Sequence, residues 1–423
     1  MKRSAFIHTT QAAAAAAALG AVPRYAVALG NAATVKIGFL DSFSGVFSDL
    51  AAYQKLAAEL ALENVNRKGR VKYEFVFGDD GSKPANATTE ARRLISQASV
   101  DALFGGTSSG SALAISPIAL ENGTFNLTLA PFDSSITGAK ASRLTYRYGP
   151  NARMATKTLG RRVLALGRKW YFVQADYALG KDAYAQLSDV LKRAGGTESG
   201  LDVVPLGMSD FSSVLTKVRN SDAEVLVITN SGLDAANLAK QFVAFGLHKR
   251  MKLAGIGLED IYHGAVPLDE LAGSTFPLLW APNASDGAER LTRTLRRSIR
   301  GPISQRHWLG YGALTALVDR MNAAGTTKAE KIAAAFDDHS FDDFKGSKAT
   351  FRACDHQTIQ DMYAGAVVSQ KKFAKTQYMY DVVAEVPAVE SDGTCDSPWA
   401  RAARTTLAAQ TIGNRENYLA KTL

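Results

Sequence analysis

The sequence predicts an α/β protein of two lobes, each a mostly parallel sheet with helices on both faces. Three observations predict it. Short apolar strand signals alternate with helical periods from residue 35 to 129, the alternation restarts near residue 151, and 423 residues is long for one domain. Two successive α/β units imply a cleft between them.

Val35 to Leu40 reads as an apolar strand, and Asp41-Ser42-Phe43-Ser44-Gly45 as the turn after it. From Leu50 to Arg67 apolar residues recur at helical spacing (Tyr53, Leu56, Leu60, Val65), with Gly69 as the C-cap candidate. Val71 to Phe77 alternates as a strand does, and Ala85 to Ala98 reads as a helix. Ala102 to Phe104 and Phe125 to Leu129 are further strands, with a helix from Ser111 to Glu121 between them. The second unit opens with a helix, Ala155 to Leu166, and the aromatic and β-branched strand Trp170 to Val173. That strand breaks at Asp176-Tyr177, passes Gly180 and gives way to a helix over Asp182 to Arg193. Asp202 to Pro205, Glu224 to Thr229 and Lys252 to Ile256 are strands, and Ala235 to Phe245 is a helix.

Beyond about residue 283 the rhythm changes. Helical stretches (Glu289 to Arg300, Gly310 to Ala323, Lys328 to Phe336) precede β-rich sequence from Phe351 to Val386. The chain is therefore expected to recross to the first lobe and return. This assigns 34–150 and about 283–340 to lobe 1, 151–282 and about 341–390 to lobe 2, and 391–423 to a C-terminal extension.

Composition narrows the function. With 46% apolar and 21% charged residues the chain is of ordinary globular type, and the net charge is +9. Its Lys and Arg are scattered rather than gathered into runs with interleaved aromatics, which argues against a nucleic-acid partner. Residues 1–28 read as a signal peptide: a basic start at Lys2-Arg3, the Ala-rich stretch Gln11 to Val22, and a small-residue cleavage site at Ala26-Val27-Ala28. Export to the periplasm is expected. The two cysteines, Cys354 and Cys395, are then expected to pair, and with no nearby histidine pair they make no zinc site.

Gly106-Thr107-Ser108-Ser109-Gly110 carries two readings. It fits G-x-S-x-G between a strand and a helix, the setting of a hydrolase nucleophile, with His307, His339 and His356 later in the chain. The preferred reading is a Ser/Gly loop at a helix start, where Ser108, Ser109 and exposed N–H groups hold a carboxylate. No dinucleotide, phosphate-loop or metal motif occurs, and no cofactor or metal is expected. Phe47, Phe132 and Tyr177 each follow a strand, as core or as a shared pocket lining. Asp176, Asp234 and Asp260 stand at strand ends, as helix caps or as partners of a ligand ammonium.

Several segments together resemble the leucine/isoleucine/valine-binding (type I) periplasmic solute-binding proteins of ABC transporters. They are Ser44 to Leu50, Lys83-Pro84, Ser109 with Leu113-Ala114, Ile136-Thr137-Gly138, Trp170-Tyr171-Phe172, Ala175 to Gly180, Ser209 to Ser213, Asn230-Ser231-Gly232 with Asp234, Lys240-Gln241, Phe245-Gly246-Leu247 and Asp361-Met362-Tyr363. The resemblance runs over about 34–386. It implies a non-enzymatic protein of two hinged Rossmann-like lobes that close on a small solute and deliver it to a membrane permease. By position, Ser109 and Ala130 would hold a ligand carboxylate, with Phe47 and Phe132 lining that side. Tyr177, Asn230, Ser231 and Asp260 would come from the second lobe. The acid that grips an amino-acid ammonium in that family aligns near Gly257, and Ser231 stands in place of an aromatic. Amino acids and aromatic or other small carboxylates are therefore both expected ligands. A ligand-sensing receptor subunit shares the same fold.

Overall fold

The computed structural model describes residues 34–393 and 395–403. The predicted signal peptide and most of the C-terminal extension lie outside the described residues.

The first lobe runs β1 (Val35–Asp41), α1 (Ser48–Lys68), β2 (Tyr73–Asp79), α2 (Pro84–Arg92), β3 (Ala102–Gly105), α3 (Ser109–Glu121), β4 (Phe125–Thr128) and β5 (Thr145–Arg147). Its sheet is parallel throughout, in the order β2-β1-β3-β4-β5. The second lobe continues with α4 (Ala152–Leu166), β6 (Lys169–Ala175), α5 (Ala178–Arg193), β7 (Thr197–Val204), α6 (Ser212–Asn220), β8 (Val225–Ile228), α7 (Leu233–Ala244), β9 (Lys252–Gly255), α8 (Leu268–Leu271) and β10 (Thr275–Leu278). The chain then builds α9 (Asp286–Leu295), α10 (Gln305–Ala324), α11 (Ala329–Phe336), β11 (Ser340–Asp342), β12 (Lys348–Phe351) and β13 (Thr358–Ile359). It ends in β14 (Met362–Val367), α12 (Gln370–Thr376) and β15 (Tyr380–Val386). The second sheet reads β15-β14-β10-β9-β8-β6-β7, with β14 and β15 antiparallel to their neighbours and the other pairs parallel.

Central parallel strands are covered on both faces, which is why β3, β4 and β8 are wholly buried and why β3 and β8 read as continuous apolar runs. Helix α10 starts with a capping box: Ser304 Oγ accepts the Arg306 N–H at 3.0 Å, and His307 Nδ1 accepts the Ser304 N–H at 3.1 Å. It lies tightly on α1, because a Cβ on Gly310 would stand 2.1 Å from the Gln54 carbonyl oxygen. So α10, though late in sequence, belongs to the first lobe.

Residues 341–359, assigned by sequence to the second lobe, pack instead on the first. Phe341 lies 5.8 Å from Tyr148, Phe351 lies 6.3 Å from Tyr146, and Gln357 bridges to Arg147 at the edge of the first sheet. Aromatic packing holds this three-stranded sheet there, and the return to the second lobe begins at β14. Strand β10 had no sequence signal because Pro277 interrupts it. Cys354 and Cys395 are joined by a disulfide, with their Cα atoms 5.8 Å apart. Among the described residues no helix is long and apolar enough to cross a membrane.

Candidate functional site

Strand order locates the site in both lobes. The first sheet has the order 2-1-3-4-5, and the parallel part of the second, β7-β6-β8-β9-β10, repeats it. In each, the chain reverses its direction of winding between the first and third strands, and ligands bind beyond the carboxyl ends there. In the first lobe those ends are the turns after β1 and β3. In the second they are the turns after β6 and β8, which carry Tyr177 and Asn230-Ser231.

The first-lobe turns are fastened by a buried carboxylate. Asp41 accepts the N–H groups of Ser42 and Thr107, each at 2.8 Å, and Gln54 Nε2 bonds both Asp41 Oδ2 and Thr107 Oγ1 at 2.8 Å. Burial pushes Asp41 up to about 6, and the neighbouring Asp80 adds to the rise. Ser108 caps α3, its Oγ accepting the Ser111 N–H at 3.3 Å. Ser109 Oγ accepts the Asp133 N–H at 3.2 Å and so ties the start of α3 to the loop after β4, where Ala130 and Phe132 lie buried.

The two lobes meet. The rings of Phe47 and Tyr177 lie 6.0 Å apart, the Leu233 N–H bonds the Val46 carbonyl at 3.3 Å, and Asp182 accepts the Ser134 N–H at 2.7 Å. Phe132, Leu179, Ser231, Gly257, Glu259 and Gln305 border a small cavity of about 10 Å³ where the lobes meet. In the second-lobe wall the Tyr177 hydroxyl, the Tyr262 hydroxyl and both side-chain polar atoms of Asn230 are buried without a hydrogen-bond partner among the described residues. Such atoms also occur elsewhere in the fold, on Ser199, His248 and Asp343 among others, and those of Asn230 and Tyr177 are set apart by standing just beyond the carboxyl ends of β8 and β6.

Of the predicted site residues, Phe132 and Ser231 share the cavity, Phe47 and Tyr177 share an aromatic contact, and Asn230 sits beside Ser231. Asp260 is placed differently. Its two oxygens accept Ser304 Oγ at 2.6 Å and the Gln305 N–H at 3.0 Å, so it caps α10 across the lobes. Burial pushes it up to about 7. Glu259 is equally committed: Arg306 Nε donates to it at 2.5 Å, Arg306 Nη2 donates to its other oxygen, and Arg306 Nη1 reaches Gln54 at 2.7 Å. This cross-lobe network escaped sequence reasoning because its members lie some 45 and 250 positions apart and match no motif.

The three histidines considered for a hydrolase triad all have other contacts. His307 accepts the Ser304 N–H, His356 stacks on Tyr146 with 3.9 Å between ring centroids, and His339 stacks on Phe341.

A family model described as "Periplasmic binding protein" matches residues 34–372. The chain belongs to that family. As a periplasmic binding protein it is a substrate-binding protein of the kind that serves ABC transporters. It is 24% identical over 249 residues to Leu/Ile/Val-binding protein homolog 3 of Brucella melitensis, a match covering 58% of this chain and 67% of that one. A crystal structure of a periplasmic binding protein from Burkholderia mallei superposes with a TM-score of 0.79 at 28% identity, covering 85% of this chain and 96% of that one. A solute-binding protein of an ABC transporter from Rhodopseudomonas palustris BisB5, in complex with 3,4-dihydroxybenzoic acid, matches with a TM-score of 0.77 at 19% identity. That likeness covers 85% of this chain and 99% of the other and, at this identity, speaks to fold.

Proposed function

We propose that this periplasmic binding protein is exported and captures one small amino acid or organic carboxylate between its lobes. It then hands the solute to the membrane permease of an ABC importer and performs no chemistry on it. The observation that carries this reading is the facing pair of strand-order switch points, one presenting the serine-rich start of α3 and the other buried polar atoms without protein partners. The carboxylate end is assigned to the Ser108-Ser109 turn and the adjoining Ala130 backbone, where N–H groups at a helix start favour an anion. Phe47, Phe132 and Tyr177 supply flat apolar walls, and Asn230 and Ser231 close the far side. The names of the similar proteins, a Leu/Ile/Val-binding homologue and a dihydroxybenzoate complex, support both ligand classes.

Calorimetric titration tests this on protein stripped of co-purified solute by unfolding and refolding. One amino acid or small carboxylate from a mixed panel is expected to bind with one site per chain. At a hundred times its dissociation constant it should stabilise the fold by about 2.7 kcal/mol. A panel that yields neither heat nor stabilisation removes the reading.

A further inference from the structure

We propose that the second lobe selects a ligand carrying an uncharged hydroxyl or carbonyl group in place of an ammonium, and that Asn230 and Tyr177 read that group. The inference rests on the cleft being a solute site. Val173 pairs with Ile228, and Ile228 with Gly255, so Ala175, Asn230 and Gly257 stand in a row at the ends of β6, β8 and β9, and Tyr177 follows two residues later in the turn after β6. Asn230 is fully buried, yet neither its amide oxygen nor its amide nitrogen has a partner, and the hydroxyls of Tyr177 and Tyr262 are in the same condition. Each such group is destabilising while unpaired. An amide and a phenol both donate and accept, which matches a neutral hydroxyl or carbonyl on the ligand.

An ammonium would require a carboxylate, since an unpaired buried charge costs far more than an unpaired dipole. The acids of this wall are already engaged. Both oxygens of Glu259 hold Arg306, and both oxygens of Asp260 hold the start of α10. The row itself has no room for an acid at its third position. Gly257 has φ +109°, and a Cβ there would stand 2.4 Å from the Asn230 carbonyl oxygen. Asp234 accepts the Gly207 N–H at 2.8 Å, and Asp49 stands part-exposed on the first turn of α1. With Phe47, Phe132 and Tyr177 as walls, the ligand class is a hydroxylated aromatic carboxylate.

The test is calorimetry on the stripped full chain with 4-hydroxybenzoate, benzoate, L-phenylalanine and L-leucine. A site built to bond a hydroxyl discriminates strongly, so 4-hydroxybenzoate is expected to bind about 100-fold tighter than either amino acid. Asn230→Leu should weaken 4-hydroxybenzoate about tenfold or more and benzoate less than about threefold, and Asp234→Asn should change 4-hydroxybenzoate by less than about threefold. Tyr177→Phe, which keeps the ring, provides the same split should Asn230→Leu fold poorly. Tighter binding of an amino acid, a tenfold loss in Asp234→Asn, or equal losses for both aromatic acids would overturn the inference while leaving the binding function intact. Silence from every solute in the wider panel would instead remove the binding function itself.

Discussion

Arg306→Ala is expected to weaken ligand binding by about 10²- to 10³-fold. Arg306 stands on the first-lobe helix α10 and grips Glu259 of the second lobe, with both side chains almost wholly buried. Truncating it strands the Glu259 carboxylate in the closed protein, a cost of about 3–5 kcal/mol for a buried pair. Because the pair bridges the lobes, the cost falls on the closed form and appears as affinity. Calorimetry measures the loss. Arg306→Met with Glu259→Met should recover much of it, because no uncompensated charge remains. A single variant with unchanged affinity would show that the pair plays no part in closure.

The same network gives stability a pH dependence with a definite sign. Asp260 titrates at about 7 in the fold, against 3.8 as its ordinary value, so the folded state holds a proton that the unfolded chain has lost. Its contribution is therefore greatest below about pH 4 and is lost as pH rises through 7. Asp41, pushed up to about 6, acts in the same sense. His307 and His356, held down to about 4 by burial, oppose them only below about 6.5. Between pH 6.5 and 8 the melting temperature should fall, and Asp260→Asn should reduce that slope, with Asp343, also pushed up to about 7 by burial, carrying a further share.

Gly232→Ala is expected to cost about 30-fold or more in affinity by blocking closure. Gly232 has φ +65° and ψ −145°, a region that residues with a Cβ rarely occupy, at a strain of about 1–3 kcal/mol. Its added Cβ would also stand 2.6 Å from the Val46 carbonyl oxygen and 3.0 Å from the Phe47 ring, both on the opposite lobe. Strain acts in the open and closed forms alike, whereas the clash exists only when the lobes meet. Gly246→Ala separates the two effects, since Gly246 has φ +72° but open space around it. Calorimetry should show the affinity loss in Gly232→Ala alone, while thermal melts show a strain cost in both.

Much of this architecture is legible in the sequence because it is carried by local patterns. Short strand signals mark β1, β3, β4, β6 and β8, and the turns after them contain Phe47, Ser108-Ser109, Phe132, Tyr177 and Asn230-Ser231. What stayed hidden depends on distant partners. Asp260 has the residue type of an ammonium ligand and stands at a strand end, but it is committed to Ser304 and Gln305 some 45 positions later. Residues 341–359 look like second-lobe strands until Phe341 and Phe351 are seen against Tyr148 and Tyr146. Tyr262, Gln54 and Arg306 belong to no motif, and their part emerges only when the lobes are brought together.

We propose that one small carboxylate sits between the serine-rich start of α3 and the Tyr177–Asn230 wall. A crystal structure of the refolded protein with its tightest-binding solute tests it most directly. The carboxylate is expected at the Ser108-Ser109 turn, the opposite end of the ligand within hydrogen-bonding distance of Asn230, and Phe47 and Phe132 against its faces. A solute bound elsewhere, or one bound in this cleft with its carboxylate on the second lobe, would contradict it.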